Sequence, residues 1–323
     1  GSARHPQPAR GWGGLMGMSF LVGVPPAIGL GVGWLARRRR LAGVAGAGGL
    51  AVVSVALYVF AAGAFLREGV ICIVMASPLF LALAVLGGLV GALLSAFGGR
   101  AGHGVLAVAF VVPLAAPLED QVAAPSLRQR TVAHVHIDAP PATVWHHINH
   151  PTDIRPEELR HGLAYRIGVP FPIEARTLEG RVGGRRRLLW QRGVSFEEVI
   201  TAWAPDRHIA WRYDFSPDSF PSGSLDDHIV IGGRYFNLTH TSYTLTPEGG
   251  GTRLTVEVGT DVTTTFNWYA GPWARLLVDD TARTILGFYK VRAEASAAAV
   301  APASVSRAAS RSAAPAASSA GGA

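Results

Sequence analysis

The segment with the clearest chemical potential places two carboxylates directly before an imidazole. Asp226, Asp227 and His228 are consecutive, and a carboxylate beside an imidazole can act as an acid–base pair in a dehydration or a cyclisation. Asp214 is a further carboxylate that could converge on the same space. Neighbouring loop residues often point apart, however, and paired Asp residues are commonly solvated. Asp214, Asp226 and His228 are therefore candidates for catalysis, while a role that is not enzymatic is the favoured prediction.

Two groups of histidines have spacings that could suit a metal ion. His146, His147 and His150 fall in one short segment, and His134 and His136 share one face of a predicted strand. Zinc held by His alone needs three aligned ligands. Neither group has the intervening Glu of an HExxH helix, and no Cys lies nearby. We expect solvent-facing histidines, and we predict no metal and no other cofactor.

An aromatic stripe follows one face of the segment 208–215. Side chains of a strand alternate between its faces, so the odd-numbered residues of this segment point the same way. Such a wall suits a cavity for an apolar ligand, although the same spacing is also typical of an ordinary core. With residues from the next strand and from the C-terminal helix, the ligand-binding candidates are Ile209, Trp211, Tyr213, Phe215, Tyr235, Trp273, Leu277 and Phe288.

A long connection, 216–233, follows this stripe and is rich in Pro and Gly. Loops beyond about 12–15 residues are often lids or binding loops. Four of its residues are apolar enough to pack over the mouth of a cavity, so we predict a lid and keep a disordered insertion as the alternative. These four are Leu225, Ile229, Val230 and Ile231.

The elements that must position these residues follow from the hydrophobic period. In the second half of the 323-residue chain a strand at 131–138 precedes two short helices, six strands and a long helix from Pro272 to about Glu294. Short turns between strands predict a curved antiparallel sheet, one face of which must be covered by another element. The long helix is the element able to cover it, and a cavity between the two is expected. The six strands are predicted at 173–182, 185–192, 195–203, 208–215, 234–246 and 252–265.

The N-terminal third has long stretches without a charged side chain. A membrane span needs about 20 mostly apolar residues, and three stretches exceed this length while the fourth, interrupted by two prolines, is marginal. We predict an all-α transmembrane region of three or four helices that serves as an anchor, since the spans lack the ionisable groups of a transport pathway. The predicted spans are 11–36, 41–66, 69–97 and 101–118.

The charge distribution sets the orientation and the domain boundaries. Four arginines at 37–40 form the strongest basic loop, which we expect in the cytoplasm. The soluble domain is then extracytoplasmic with four spans and cytoplasmic with three, in a bacterial inner or plasma membrane. The remaining boundaries are an N-terminal segment 1–10, a linker 119–129, the domain 130–294 and a disordered Ala/Ser/Pro/Gly tail 295–323.

The domain itself is electrically neutral. The chain has 29 Lys+Arg against 22 Asp+Glu, but residues 126–294 carry equal numbers of each, so the excess lies beside the membrane and in the tail. A nucleic-acid partner is excluded on this ground. The arginines at 185–187 could grip an anionic headgroup, but alternation along a strand favours a surface hairpin.

The segment Ile137-Asp-Ala-Pro-Pro-Ala-Thr-Val-Trp145 resembles the opening of the START-like (SRPBCC, polyketide cyclase/dehydrase and lipid transport) superfamily. Residues 197–211 resemble its middle strands and 267–292 its closing helix. The resemblance covers about 130–294 and implies an α+β helix-grip fold with a hydrophobic cavity. Members bind lipids, sterols, polyketides or hormones, and only some catalyse. The segment 67–78 makes the chain similar to uncharacterised bacterial membrane proteins with this domain at the C-terminus.

We therefore predict that the chain is anchored in the membrane and binds a hydrophobic small molecule or lipid. Transfer of that molecule is an extension of this prediction. A cyclase/dehydratase-like enzyme is the first alternative and would need a buried polar pair in the cavity. A non-catalytic interaction module tethered to the membrane is the second and would show an exposed apolar patch instead of a cavity. The identity of the ligand and the oligomeric state stay open.

Overall fold

The computed structural model of the chain describes residues 19–65, 69–97, 123–225 and 229–312. The predicted order of elements in the second half is confirmed: a strand, short helices, six strands and a long helix. All strands join one antiparallel sheet in the order β1-β7-β6-β5-β4-β3-β2. The strands are β1 (Ser126–Ile137), β2 (Pro172–Thr177), β3 (Arg185–Trp190), β4 (Ser195–Ala204), β5 (His208–Asp214), β6 (Phe236–Glu248) and β7 (Gly251–Thr263).

The sheet is curled because irregular positions bend three of its strands. The register shifts in β2 after Pro172, in β4 after Ile200 and in β6 after Leu238, and each extra residue increases the local twist and bend. Gly249 and Gly250 make the tight β6–β7 turn with φ of +57° and +83°, a conformation that favours glycine. The sheet thus forms a half-barrel with a concave inner face.

Seven helices complete the described chain. Three precede the sheet: α1 (Val24–Arg38), which follows a π-helical turn at Ser19–Gly23, α2 (Val44–Phe65) and α3 (Val70–Leu94). Three short ones connect β1 to β2, and the last fills the half-barrel. These are α4 (Pro141–Asn149), α5 (Pro156–Leu159), α6 (Leu163–Arg166) and α7 (Asn267–Ser312). The α+β helix-grip fold expected from the sequence is present.

The last helix is longer than the sequence analysis predicted at both ends. It begins at Asn267 and not at Pro272, and the side-chain oxygen of Asn267 accepts hydrogen bonds from the backbone and hydroxyl of Thr264. It continues past Glu294 to Ser312, through residues predicted to be disordered. Alanine, which dominates this stretch, is the strongest helix former. Residues 313–323 lie outside the described residues.

The N-terminal helices pack through glycine. A Cβ on Gly33 would lie 2.0 Å from the carbonyl oxygen of Gly88, and one on Gly91 would lie 2.1 Å from that of Leu30. Small residues let helices approach this closely, and here they serve packing within the chain, as we expected. Among the described residues, two stretches are long and apolar enough to cross a membrane, Val44–Ala61 and Val70–Leu94. The predicted fourth span, 101–118, lies outside the described residues, as do 1–10 and residues 119–122 of the predicted linker, whereas 126–129 of that linker belong to β1.

Candidate functional site

A cavity of about 300 Å³ lies between the concave face of the sheet and α7. Five of the eight predicted ligand-binding residues line it: Trp211, Tyr213, Tyr235, Leu277 and Phe288. Strands β3 to β7, helix α7, part of the 216–233 connection and the start of α3 all contribute to the wall. The volume lies at the lower end of the roughly 300–1,000 Å³ that is typical of small-molecule sites.

The other three candidates lie outside the cavity wall. Ile209 is fully buried in the main core, where the aromatic stripe continues below the cavity. Phe215 stacks on Tyr213 with ring centroids 5.6 Å apart and belongs to an aromatic cluster with Phe196. Trp273 precedes Ala274, the lining residue of its turn. Trp273 is half-buried at the margin of the helix face that lines the cavity and is not itself part of the lining.

A buried ion pair in the wall of the cavity was not foreseen. Arg186 Nη1 donates to Glu198 Oε2 at 2.9 Å, and both side chains are almost fully buried. The prediction of a surface hairpin at 185–187 is therefore wrong for the middle arginine. The alternation of side chains along β3 was the sequence signal for this burial, because a strand that places Arg185 and Arg187 outside must turn Arg186 inward. Glu198 stands directly opposite Arg186 in the β3–β4 register.

Each of the three nitrogens of the Arg186 guanidinium group donates a hydrogen bond to the protein. Besides Glu198, the group donates to Thr177 Oγ1 at 3.1 Å and to the carbonyl oxygen of Ile148 at 2.8 Å. Its Cζ lies 4.0 Å from the centroid of the Trp211 ring, a favourable cation–π geometry. Arg186 therefore acts as a fixed positive charge that ties the sheet to α4 and orients Trp211.

Burial controls the ionisation of the polar groups in the cavity. Desolvation raises the pKa of Glu198 to about 7, against the opposing effect of the Arg186 charge. Burial also raises the pKa of Tyr289 to about 12 and raises that of Tyr213, whose phenol oxygen lies 2.7 Å from Thr241 Oγ1. The tyrosines are therefore neutral hydroxyl groups, and Glu198 is the side chain of the wall that titrates near neutral pH.

Two hydrogen-bond donors of the wall have no partner of good geometry among the described residues. The indole nitrogens of Trp190 and Trp211 are buried and lack a hydrogen-bond partner of good geometry in that part of the chain. The nitrogen of Trp211 nevertheless lies close to Glu198 and Tyr213. A buried donor without an acceptor costs about 1–3 kcal/mol. The Trp190 group is therefore available to an acceptor on a bound molecule.

The catalytic candidates do not meet in the described part of the cavity. Asp214 lies on the outer face of β5, where its carboxylate accepts a hydrogen bond from Arg185 at 3.2 Å. Asp226, Asp227 and His228 lie outside the described residues. The flanking apolar residues Leu225, Ile229 and Ile231 line the cavity, as a covering loop would require.

The histidines occupy separate environments. His147 Nε2 lies 2.9 Å from Ser296 Oγ on α7, and burial lowers the pKa of its imidazole. His136 lies 3.1 Å from the carboxylate of Asp138. Among the residues that the structure describes, no three His, Cys, Asp or Glu side chains are grouped to hold a metal ion.

Comparison with known proteins settles the family. The model of the family described as polyketide cyclase / dehydrase and lipid transport matches residues 128–301, more than half of the chain. The chain belongs to this family. The match spans the sheet and the cavity-lining part of α7, and the fold of the polyketide cyclase / dehydrase and lipid transport family suggests binding of a hydrophobic ligand.

Solved structures from several bacteria resemble the same half of the chain. Protein MLL2253 of Mesorhizobium loti is 15% identical over 49% of this chain and 96% of its own, with a TM-score of 0.28. TTHA0849 of Thermus thermophilus is 18% identical over 53% and 99%, with a TM-score of 0.32. SA2116 of Staphylococcus aureus, a protein of unknown function, is 10% identical over 53% and 96%, with a TM-score of 0.34. A comparison with curated proteins finds no match for the chain.

Proposed function

We propose that the family domain binds an apolar small molecule or lipid in the cavity between sheet and helix α7. The observation that carries the proposal is the cavity itself, about 300 Å³ enclosed by aliphatic and aromatic side chains with few polar groups. Such a wall provides affinity by removing apolar surface from water, and its few polar atoms orient the ligand.

The polar atoms of the wall support a ligand with one oxygen acceptor. The charge of Arg186 is already paired with Glu198, and three of its five N–H groups donate to protein acceptors, which disfavours an anionic headgroup as its main partner. The unbonded indole N–H group of Trp190 instead suits a carbonyl, hydroxyl or ether oxygen. The ligand is therefore an amphiphile whose polar end is small and uncharged.

The helices α2 and α3 support attachment to a membrane. They contain no charged residue, and Leu57, Phe60 and Leu93 are 63%, 76% and 58% exposed. Apolar side chains that project outward from two neighbouring helices are typical of surfaces that contact lipid. We propose that the chain is an integral membrane protein with the binding domain held at the bilayer.

The packing of the domain on these helices supports an extracytoplasmic position. Ile71, in the first turn of α3, forms a buried cluster with Ile167 and Leu225 of the domain, and Met75 packs against it. This contact involves the end of the bundle opposite the arginines at 37–40, which lie between α1 and α2. Since basic loops stay in the cytoplasm, the domain belongs to the other side, as the four-span alternative requires.

Mass spectrometry of the full chain purified from bacterial membranes tests the binding function. We expect an organic extract to contain an apolar molecule in stoichiometric amount. Ala274→Trp, which fills the cavity from α7, should abolish its recovery, because Ala274 lines the wall. Leu276→Trp places the same side chain on the exposed side of α7 and is the matched control. Equal recovery from both variants would contradict the proposal.

A cyclase/dehydratase-like activity is the second candidate, favoured by Glu198. A buried carboxyl group with a pKa of about 7 in a cavity wall is suited to proton transfer. In this case Glu198→Gln should retain the bound molecule but stop its chemical conversion, which the masses of the extracted species would reveal. Identical products from the variant and the wild type would remove this candidate.

A further inference from the structure

The first turns of α3 form part of the cavity wall. Ile71 and Met75 line the cavity together with residues of the domain. Val70 is 58% exposed whereas Ile71, the next residue, is only 3% exposed. Helix α3 therefore presents one side to the cavity at the end where it meets the domain, although the same helix is long and apolar enough to cross a membrane.

The domain meets this part of α3 with aliphatic side chains. Ile71 forms a buried cluster with Ile167 and Leu225, and Met75 and Leu277 pack against it. We call this contact between α3 and the domain the seam. One hydrogen bond accompanies it, donated by Tyr269 Oη to the carbonyl oxygen of Met75 at 2.5 Å.

The chemistry of the seam suits passage of an apolar molecule. Its aliphatic side chains interact by dispersion, and lipid tails offer contacts of the same kind, so separating these side chains inside a bilayer costs little beyond the one hydrogen bond of Tyr269. Methionine in particular adapts its shape at low cost. The charged side chains of the wall, Arg186 and Glu198, lie on β3 and β4 and not at the seam.

We infer that the cavity exchanges its ligand directly with the bilayer through the seam. The ligand is then a membrane-resident amphiphile, and the volume of about 300 Å³ accommodates a single chain or a compact ring skeleton in preference to a two-chain phospholipid. This inference rests on the proposed binding function. It adds the route of entry and the physical source of the ligand.

A reversible disulfide across the seam tests whether the ligand enters by this route. Ile71→Cys and Leu225→Cys, combined with Cys72→Ala, place two thiols in one cluster, and their oxidation to a disulfide is verified by mass before the assay. The full chain is placed in nanodiscs that contain hexadecanol bearing a diazirine, an amphiphile with an uncharged polar end. Samples are irradiated at successive times, and labelled peptides are quantified by mass spectrometry. Labelling of the peptide with Trp211 and Tyr213 reports entry into the cavity.

Oxidation should slow labelling of the cavity peptide at least about tenfold, equivalent to ~1.4 kcal/mol in the barrier, and reduction should restore the rate. Labelling at Phe60, which is 76% exposed on α2, should be unchanged in both states. Ala36→Cys with Ala92→Cys, in the same Cys72→Ala background, joins α1 to α3 in a different cluster and is the matched control, with no effect on the rate.

Equal rates for the oxidised and reduced seam would overturn the inference and leave ligand binding intact. If no form of the protein labels the cavity peptide while Phe60 is labelled normally, the inference fails together with the proposed function.

Discussion

Arg186 and Glu198 depend on each other because neither charge is exposed to solvent. Removing one partner of a buried ion pair leaves an uncompensated charge and costs about 3–5 kcal/mol, whereas replacing both by apolar residues is often nearly neutral. At pH 8, where Glu198 is ionised, we expect Glu198→Leu to lower the free energy of unfolding by that amount, and Arg186→Met with Glu198→Leu to recover most of it. Thermal unfolding of the full chain in detergent measures both.

The neighbouring pair on the other face of the same strands is the control. Arg185 and Glu197 also lie on β3 and β4, at diagonal positions of the register, and form an ion pair, but both side chains are exposed. Exposed pairs contribute little, so Glu197→Leu should change the unfolding temperature much less than Glu198→Leu. Similar losses from the two variants would show that burial does not decide the energetics.

The raised pKa of Glu198 also makes stability depend on pH. The folded chain holds this proton up to about pH 7, whereas the ordinary value is 4.5. The folded state thus binds the proton more tightly, and this contribution to stability is full below about pH 4.5 and is lost as the pH rises through about 7. Urea unfolding at pH 5, 6, 7 and 8 should show the decline in the wild type. Glu198→Gln, which cannot titrate, should lack that component; an identical pH profile would refute the assignment.

At the scale of elements, Arg292 fastens α5 and the preceding loop to α7. It donates to both carboxylate oxygens of Glu158, at 2.8 and 2.9 Å, and to the carbonyl oxygen of Thr152 at 2.7 Å. The hydrogen bonds from Arg292 lower the pKa of Glu158. The stabilisation is therefore present above the ordinary pKa of the carboxyl group and is lost as the pH falls through the lowered value.

Glu158→Gln should destabilise the domain by about 1–3 kcal/mol at neutral pH, since hydrogen bonds to charged groups are involved. The difference from wild type should shrink in acid. Urea unfolding at pH 7 and pH 3.5 measures it, and Glu157→Gln is the control because Glu157 is exposed and pairs with Arg160 only at the surface. A loss at pH 3.5 as large as that at pH 7 would contradict this account.

The sequence predicted the order of strands and helices better than it predicted which of their side chains face the cavity. Alternation and turn residues were sufficient for the order of strands and helices, and for a cavity lined by Trp211 and Leu277. Trp273 was assigned to the cavity because a helical period does not fix which side faces the sheet to within one residue. Arg186 was assigned to the surface because its burial depends on pairing with Glu198, and that register is set by long-range contacts. The contribution of α3 to the wall had no local signal at all.

At the scale of the whole molecule, the position of the domain predicts its accessibility in cells. Val182 is exposed on the domain and Leu41 follows the basic loop after α1. In a Cys72→Ala background, Val182→Cys should react with a membrane-impermeant maleimide in intact spheroplasts. Leu41→Cys should react only after permeabilisation. The reverse pattern would place the domain in the cytoplasm and contradict the proposed orientation.

The participation of Ile71 and Met75 in the wall has a practical consequence for ligand discovery. A soluble fragment that begins at β1 would retain the sheet and α7 but would have a gap where these two side chains stand. Water would enter through that gap, and the aliphatic surface around Leu277 would favour aggregation. Screening campaigns based on such a fragment would therefore underestimate affinities and select compounds that cover the gap. The membrane-embedded chain is the appropriate target for assays.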